Sequence, residues 1–242
     1  MRMHGMGFGS FGFPLRELRG ITTCGSTRTL SLIGAVLILL GATNIPESKQ
    51  SPAKHTPTEA MRITVGQAIG ILQDQELQKP ARMNERVTRL KTIADSRFDY
   101  REMAKRSLGG QWDRLEEQDR QEFVDLFTEL LTTTYVNNIH AYSGEEVTFL
   151  SERLEGNHAE VKSIMVGKKS ETPLDYRLMM KGDEWKAYDV VVDGISLVRN
   201  YREQFAAILR SSSYAYLVKT LREKNAQYNV KAKTSETSTS SR

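Results

Sequence analysis

The sequence predicts an α+β domain in which a helical layer packs on one face of a four-stranded antiparallel meander sheet. Three observations predict it. Apolar residues recur at helical spacing through the first half of the domain, they alternate with polar residues between Val147 and Asp193, and the helical period returns after Ile195. Helices, then strands joined by short turns, then helices again describe helices segregated on one side of an antiparallel sheet.

The elements follow in chain order. Residues 61–78 place Ile63, Ala68, Ile69, Leu72 and Leu77 near a helical period, and Pro80 supplies the stop. Residues 82–97 repeat the pattern with Met83, Val87, Leu90, Ile93 and Ala94, and 99–108 form a short helix closed by Gly109 and Gly110. The strongest helix covers 117–140, with Phe123, Phe127, Leu130, Leu131 and Tyr135 on one face. After Tyr142-Ser143-Gly144 the period becomes two. Val147 and Phe149 mark the first strand, Gly156-Asn157 a turn, and Ala159, Val161, Ser163 and Met165 the second. Leu174, Tyr176, Leu178 and Met180 share a face of the third, and Gly182-Asp183 turns into a fourth from Trp185 to Asp193. Helices resume at 195–210 and 214–226, the first with Ile195, Val198, Tyr201, Phe205, Ile208 and Leu209 on one stripe.

The ends of the chain differ in kind from this domain. Leu30 to Ala42 reads LSLIGAVLILLGA, with arginines before it and small residues at its exit. That is the layout of a secretory signal, and the run is shorter than the about 20 apolar residues a membrane span needs. Residues 1–42 are therefore read as a signal peptide cut after Ala42, with an uncleaved N-terminal anchor as the alternative. Residues 43–60 carry three prolines among Ser, Thr and Lys and read as a flexible linker. The α+β domain spans 61–228. The Ser- and Thr-rich end, 229–242, reads as a disordered tail.

Charge and cysteine narrow the function classes. The 242-residue chain has a formal net charge of +4, and residues 1–43 hold four arginines against one glutamate, so most of the excess sits in the export segment. A nucleic-acid binder concentrates basic charge in its binding domain, and none is concentrated here. The single cysteine, Cys24, precedes the apolar run, so the domain can form neither a disulfide nor a thiolate zinc site.

No pattern of catalytic or metal-ligating residues emerges. Two of the four histidines, His4 and His55, fall outside the domain, and His140 and His158 show no ligand spacing. Asp189 and Asp193 could form an acid/base pair, but four strand residues separate them by about 13 Å, beyond the roughly 5–9.5 Å such pairs use. Asp193-Gly194 reads instead as a turn and helix cap. Gly167-Lys168-Lys169-Ser170 lacks the glycine pattern of a phosphate loop and reads as a solvated hairpin tip. No catalytic residue, metal or cofactor is expected.

Three stretches carry a resemblance. RFDYREMAKRSLGGQWDRL, the following EEQDRQEFVDLFTELLTTTYVNNIHAYSGEEV, and WKAYDVVVDGISLVRNYREQFAAILR resemble the MlaC-like, or toluene-tolerance, family over about residues 62–226. Phe98-Asp99, Met103-Ala104, Leu108-Gly109 with Trp112, Tyr188-Asp189-Val190, Gly194 and Asn200-Tyr201-Arg202 fall in the family's order. Leu115-Glu116-Glu117 departs from it, standing where the family usually has a Thr-Pro cap. The resemblance implies a deep apolar pocket between sheet and helices. It also implies phospholipid as cargo and a monomeric periplasmic carrier. Its partners would be an outer-membrane lipoprotein complex and an inner-membrane ABC transporter with its periplasmic substrate-binding subunit.

With that pocket expected, the apolar faces nominate its lining: Met103, Leu108, Phe123, Phe127, Leu130, Leu131 and Tyr135 from the helices before the sheet; Val161, Tyr176, Leu178, Met180, Val190 and Val192 from the strands; Val198, Tyr201 and Phe205 from the helix after it. Phe127, Leu130 and Leu131 are expected to oppose Tyr176, Leu178 and Met180 across the lipid. Another apolar ligand, a hopanoid or an organic solvent, is the alternative cargo, and a hydrolase or a structural adaptor the more distant readings. The periodicity itself leaves open whether helices and sheet close on each other or stay apart.

Overall fold

The structure, a computed structural model, describes residues 54–135, 142–168 and 170–239, with side chains as far as residue 227. The export segment expected over 1–42, with Cys24, lies outside the described residues, as do His140 and Lys169. No helix among the described residues is long and apolar enough to cross a membrane.

Helix α1 spans Pro57–Gln73, so the domain begins inside the stretch expected to be linker. Thr56 caps it, accepting from the Glu59 N–H at 3.2 Å, and Pro57 stands in the first turn, where its missing N–H costs nothing. The helix stops before Pro80 because Asp74 offers its carboxylate to the N–H groups of Glu76 and Leu77, at 2.8 and 3.1 Å, an alternative to continued helix. Helix α2 covers Met83–Arg97 and α3 covers Tyr100–Leu108, with Asp99 accepting from the Glu102 N–H at 3.0 Å as its cap. A 3-10 segment, Gly109–Arg114, leads into α4, Glu117–Tyr135.

The meander comprises β1 (Glu146–Glu155), β2 (His158–Val166), β3 (Glu171–Lys181), β4 (Glu184–Val192) and β5 (Ile195–Ser196), paired antiparallel in chain order. The fifth strand is the correction to a four-stranded expectation. Asp193 and Gly194, at φ 50° and 77°, fold the chain back so that Ser196 pairs with Val191. Ser196 then caps α5 (Leu197–Ser211) through the Arg199 N–H at 3.0 Å. Asp193 thus makes the turn, and Ser196 makes the cap. Helix α6 runs Tyr214–Thr239, through most of the stretch expected to be a disordered tail. Residues 227–239 hold no Gly or Pro, and extending an established helix is far easier than starting one.

Register decides which side chains share a face. Ala159 stands opposite Leu178 and Val161 opposite Tyr176; Tyr176 faces Val190, Leu178 faces Ala187 and Met180 faces Trp185. These residues form one apolar face, and Ala60 and Met61 of α1 close on it. The free edge of β4 is covered by the α2–α3 junction: the Asp99 N–H reaches the Ala187 carbonyl at 2.9 Å, and Arg97 Nη1 reaches the Trp185 carbonyl at 2.6 Å. Covering an edge in this way removes a template for aggregation.

Candidate functional site

The apolar interior falls into two cores instead of one. Helices α3 to α6, with Trp112 and Leu115 between α3 and α4, build the first around Phe123, Phe127, Tyr201 and Phe205, and Tyr188 of β4 packs against it. Phe127 meets Tyr201 edge-on at 5.2 Å and Phe205 at 5.8 Å, while Phe123 meets Phe205 edge-on at 5.6 Å, arrangements aromatic rings favour. The second core is the sheet face with α1. The helical layer expected to cover the sheet is therefore divided, because large aromatic residues satisfy each other within the helical part. Phe98 packs against both cores, so the α2–α3 junction stands on the seam between them.

The nominated residues sort accordingly. Met103, Leu108, Phe123, Phe127, Leu130, Leu131, Val198, Tyr201 and Phe205 are buried in the helical core, and Tyr135 packs against it. Val161, Tyr176 and Leu178 are buried in the sheet core, with Met180 and Val190 half-buried against it. Val192 is half-buried and belongs to neither core. The two faces expected to oppose each other thus belong to different cores. Phe123, Phe127, Val161 and Leu178 show 0% exposure, so protein atoms cover them fully and no water-sized void adjoins them. Met180, Val190, Val192 and Tyr135 keep open surface. Burial pushes the Tyr176 hydroxyl far above its usual pKa and keeps it neutral.

Polar groups gather along the seam. Asp99, 8% exposed, receives Lys181 Nζ at 2.7 Å in addition to its capping bond. Burial alone would raise its pKa, but the bonds from Lys181 and the Glu102 N–H prevail and hold it below the usual value. Beside it, Arg97 donates through Nε to Thr64 Oγ1 at 2.8 Å and, as noted, to the Trp185 carbonyl. Burial lowers its pKa, against the opposing charge of Glu184. Asp189, 3% exposed, accepts from Arg177 Nη1 at 3.0 Å, Ser196 Oγ at 2.6 Å and the Val198 N–H at 3.0 Å. With its oxygens so engaged it serves as an anchor at the start of α5, where a negative charge also suits the helix dipole.

A separate depression of about 600 Å³ lies along α4, lined by Glu117, Gln118, Gln121, Glu122, Asp125 and Leu126. Its carboxylates are unsuited to an apolar ligand. Among the described residues no His, Cys, Asp and Glu side chains group closely enough to hold a metal ion. Sequence reasoning missed Ala60 and Met61, which lie at the edge of the presumed linker, and it gave no binding role to Phe98 or Trp185 although both fall in the quoted motifs.

An α+β domain with a helical assembly joined to an antiparallel meander is a fold this chain shares with a phospholipid-binding protein from Ralstonia solanacearum, solved in complex with a phospholipid. The TM-score is 0.61 at 24% identity, covering 70% of this chain and 97% of the other. Residues 62–223 match the MlaC protein family, and the chain belongs to that family. It is 26% identical over 157 residues to toluene tolerance protein ttg2D of Pseudomonas putida, covering 64% of this chain and 73% of that one. It is 23% identical over 126 residues to the intermembrane phospholipid transport system binding protein MlaC of Haemophilus influenzae, covering 50% of this chain and 59% of the relative.

Proposed function

We propose that the protein is a monomeric periplasmic carrier that holds one phospholipid between its two apolar cores. It would pass the lipid between an outer-membrane lipoprotein complex and an inner-membrane ABC transporter with its periplasmic substrate-binding subunit. The observation that carries this reading is the divided interior: a domain of this size ordinarily forms one contiguous core. Two apolar walls that meet along a seam can part around acyl chains without unfolding either wall. Met180, Val190, Val192 and Tyr135, which keep open surface, are the first contacts, and the covered Phe127, Leu130, Tyr176 and Leu178 back them.

The energetics favour such a carrier. Each buried methylene is worth about 0.8 kcal/mol, so a diacyl lipid does not cross water unaided. Release demands few specific bonds to the chains, and an apolar seam makes none. Membership of the MlaC family and the phospholipid in the Ralstonia solanacearum protein support the same cargo. No chemistry on the lipid is part of this role. Transfer of a fluorescent phospholipid from donor to acceptor vesicles tests it: the initial rate should rise with protein concentration. Binding without any transfer would leave a storage protein and end the carrier reading.

A further inference from the structure

Two groups at the seam have bonding capacity that the fold leaves unused: an indole N–H without an acceptor and a guanidinium without a carboxylate. Trp185 is 5% exposed, yet its indole Nε1–H meets no acceptor. A buried indole N–H ordinarily finds one, so an empty one calls for an explanation. The second donor is the Arg97 guanidinium, joined to Trp185 through that residue's own carbonyl oxygen. Nε and Nη1 are engaged, and no carboxylate lies within ion-pair distance of Arg97 among the described residues. Its charged neighbours are paired elsewhere: Lys186 with Glu184 at 2.6 Å, and Lys181 with Asp99 at 2.7 Å. Of these three cations, half-buried Arg97 is the one without a carboxylate partner among the described residues.

Position gives these donors a meaning. Trp185 is the second residue of β4, opposite Met180, at one end of the apolar face that continues through Leu178 and Tyr176, and Phe98 on the seam adjoins Arg97 in the chain. A glycerophospholipid presents its groups in a fixed order, phosphodiester, then ester carbonyls, then acyl chains. An arginine without an ion-pair contact, bonded to the backbone of the residue whose indole N–H is unpartnered, and an apolar face running on from that residue offer matching groups. Building on the carrier reading, we propose that Arg97 receives the phosphodiester of the bound lipid and Trp185 Nε1 an ester carbonyl. The seam then has a head end at the start of β4 and distinguishes ester from ether lipids.

The test uses the full chain stripped of lipid, with four probes: a diacyl phospholipid, its dialkyl ether analogue, diacylglycerol and inorganic phosphate. The unmodified protein should bind the diacyl phospholipid more tightly than the ether analogue and than diacylglycerol, each by roughly tenfold, the scale of one well-placed bond in a dry site. Trp185→Phe should abolish the ester preference and keep the phosphate preference. Arg97→Gln should do the reverse, and Arg97→Lys, which keeps the charge, should recover part of the phosphate preference. Ratios within each variant are insensitive to a general loss of folded protein. Unchanged ratios in the variants, or equal binding of all three lipids by the unmodified protein, overturn the head-end assignment and leave the carrier reading standing. Binding of inorganic phosphate as tight as that of phospholipid would make Arg97 a free-phosphate site and also overturn it. No binding of any lipid defeats the carrier reading itself.

Discussion

The carboxylate of Asp189 accepts the hydroxyl of Ser196 at 2.6 Å, a side-chain contact between β4 and the residue that caps α5. The same carboxylate takes the Val198 N–H and Arg177, so β3, β4 and the start of α5 are tied together at this one point.

Asp189→Asn should therefore destabilise the fold by about 2–4 kcal/mol, since the amide turns a donor toward groups that need an acceptor and leaves Arg177 without its buried partner. The denaturant midpoint measures it. A loss under about 0.5 kcal/mol would mean that the contact is incidental.

Asp99 sets a pH dependence. Its folded pKa lies below the usual value of 3.8, so as pH falls the unfolded chain takes up this proton first. The stability it contributes is complete above the unfolded pKa and is lost as pH falls through the folded one. Asp99→Asn should flatten the slope of stability against pH below about pH 4, as read from denaturant midpoints across the acid range. An unchanged slope would place the acid sensitivity elsewhere.

Gly109 has φ 56°, and a Cβ built there would sit 3.2 Å from Arg202 Nε. Gly109→Ala should cost about 1–3 kcal/mol from backbone strain and crowding together. Pairing it with Arg202→Ala relieves only the crowding, so thermal midpoints of the single and double variants apportion the two causes; full recovery in the double variant would exclude strain.

Half-buried and fully buried seam residues should respond differently to bulk. Leu178 is completely covered, so Leu178→Trp forces the core apart and costs about 1–3 kcal/mol or more. Met180 keeps open surface, so Met180→Trp should lower bound lipid while costing less than about 1 kcal/mol. Lipid content and denaturant midpoint on the same samples check this. Full lipid binding by Met180→Trp would remove Met180 from the seat.

Much of this architecture was readable from periodicity. The alternation through Leu174, Tyr176, Leu178 and Met180 gave the face of β3 correctly because side-chain period and register are rigidly coupled in a strand. The turn at Gly182-Asp183 was legible for the same kind of local reason. What could not be read was long-range. The β5 hairpin depends on Ser196 finding both Val191 and Asp189, and the division into two cores depends on which aromatic faces meet. An apolar stripe says that a face is buried and is silent about its partner. For that reason Phe127 and Leu178 looked alike in sequence and proved to belong to separate cores.

Lipid stoichiometry tests the carrier role most directly. Protein purified from the periplasm without added lipid, extracted into organic solvent and analysed by mass spectrometry, should yield about one diacyl phospholipid per chain, the load a single protein-enclosed apolar site can accommodate. A well-folded chain that carries no phospholipid, and takes none up from vesicles after purification, would contradict it.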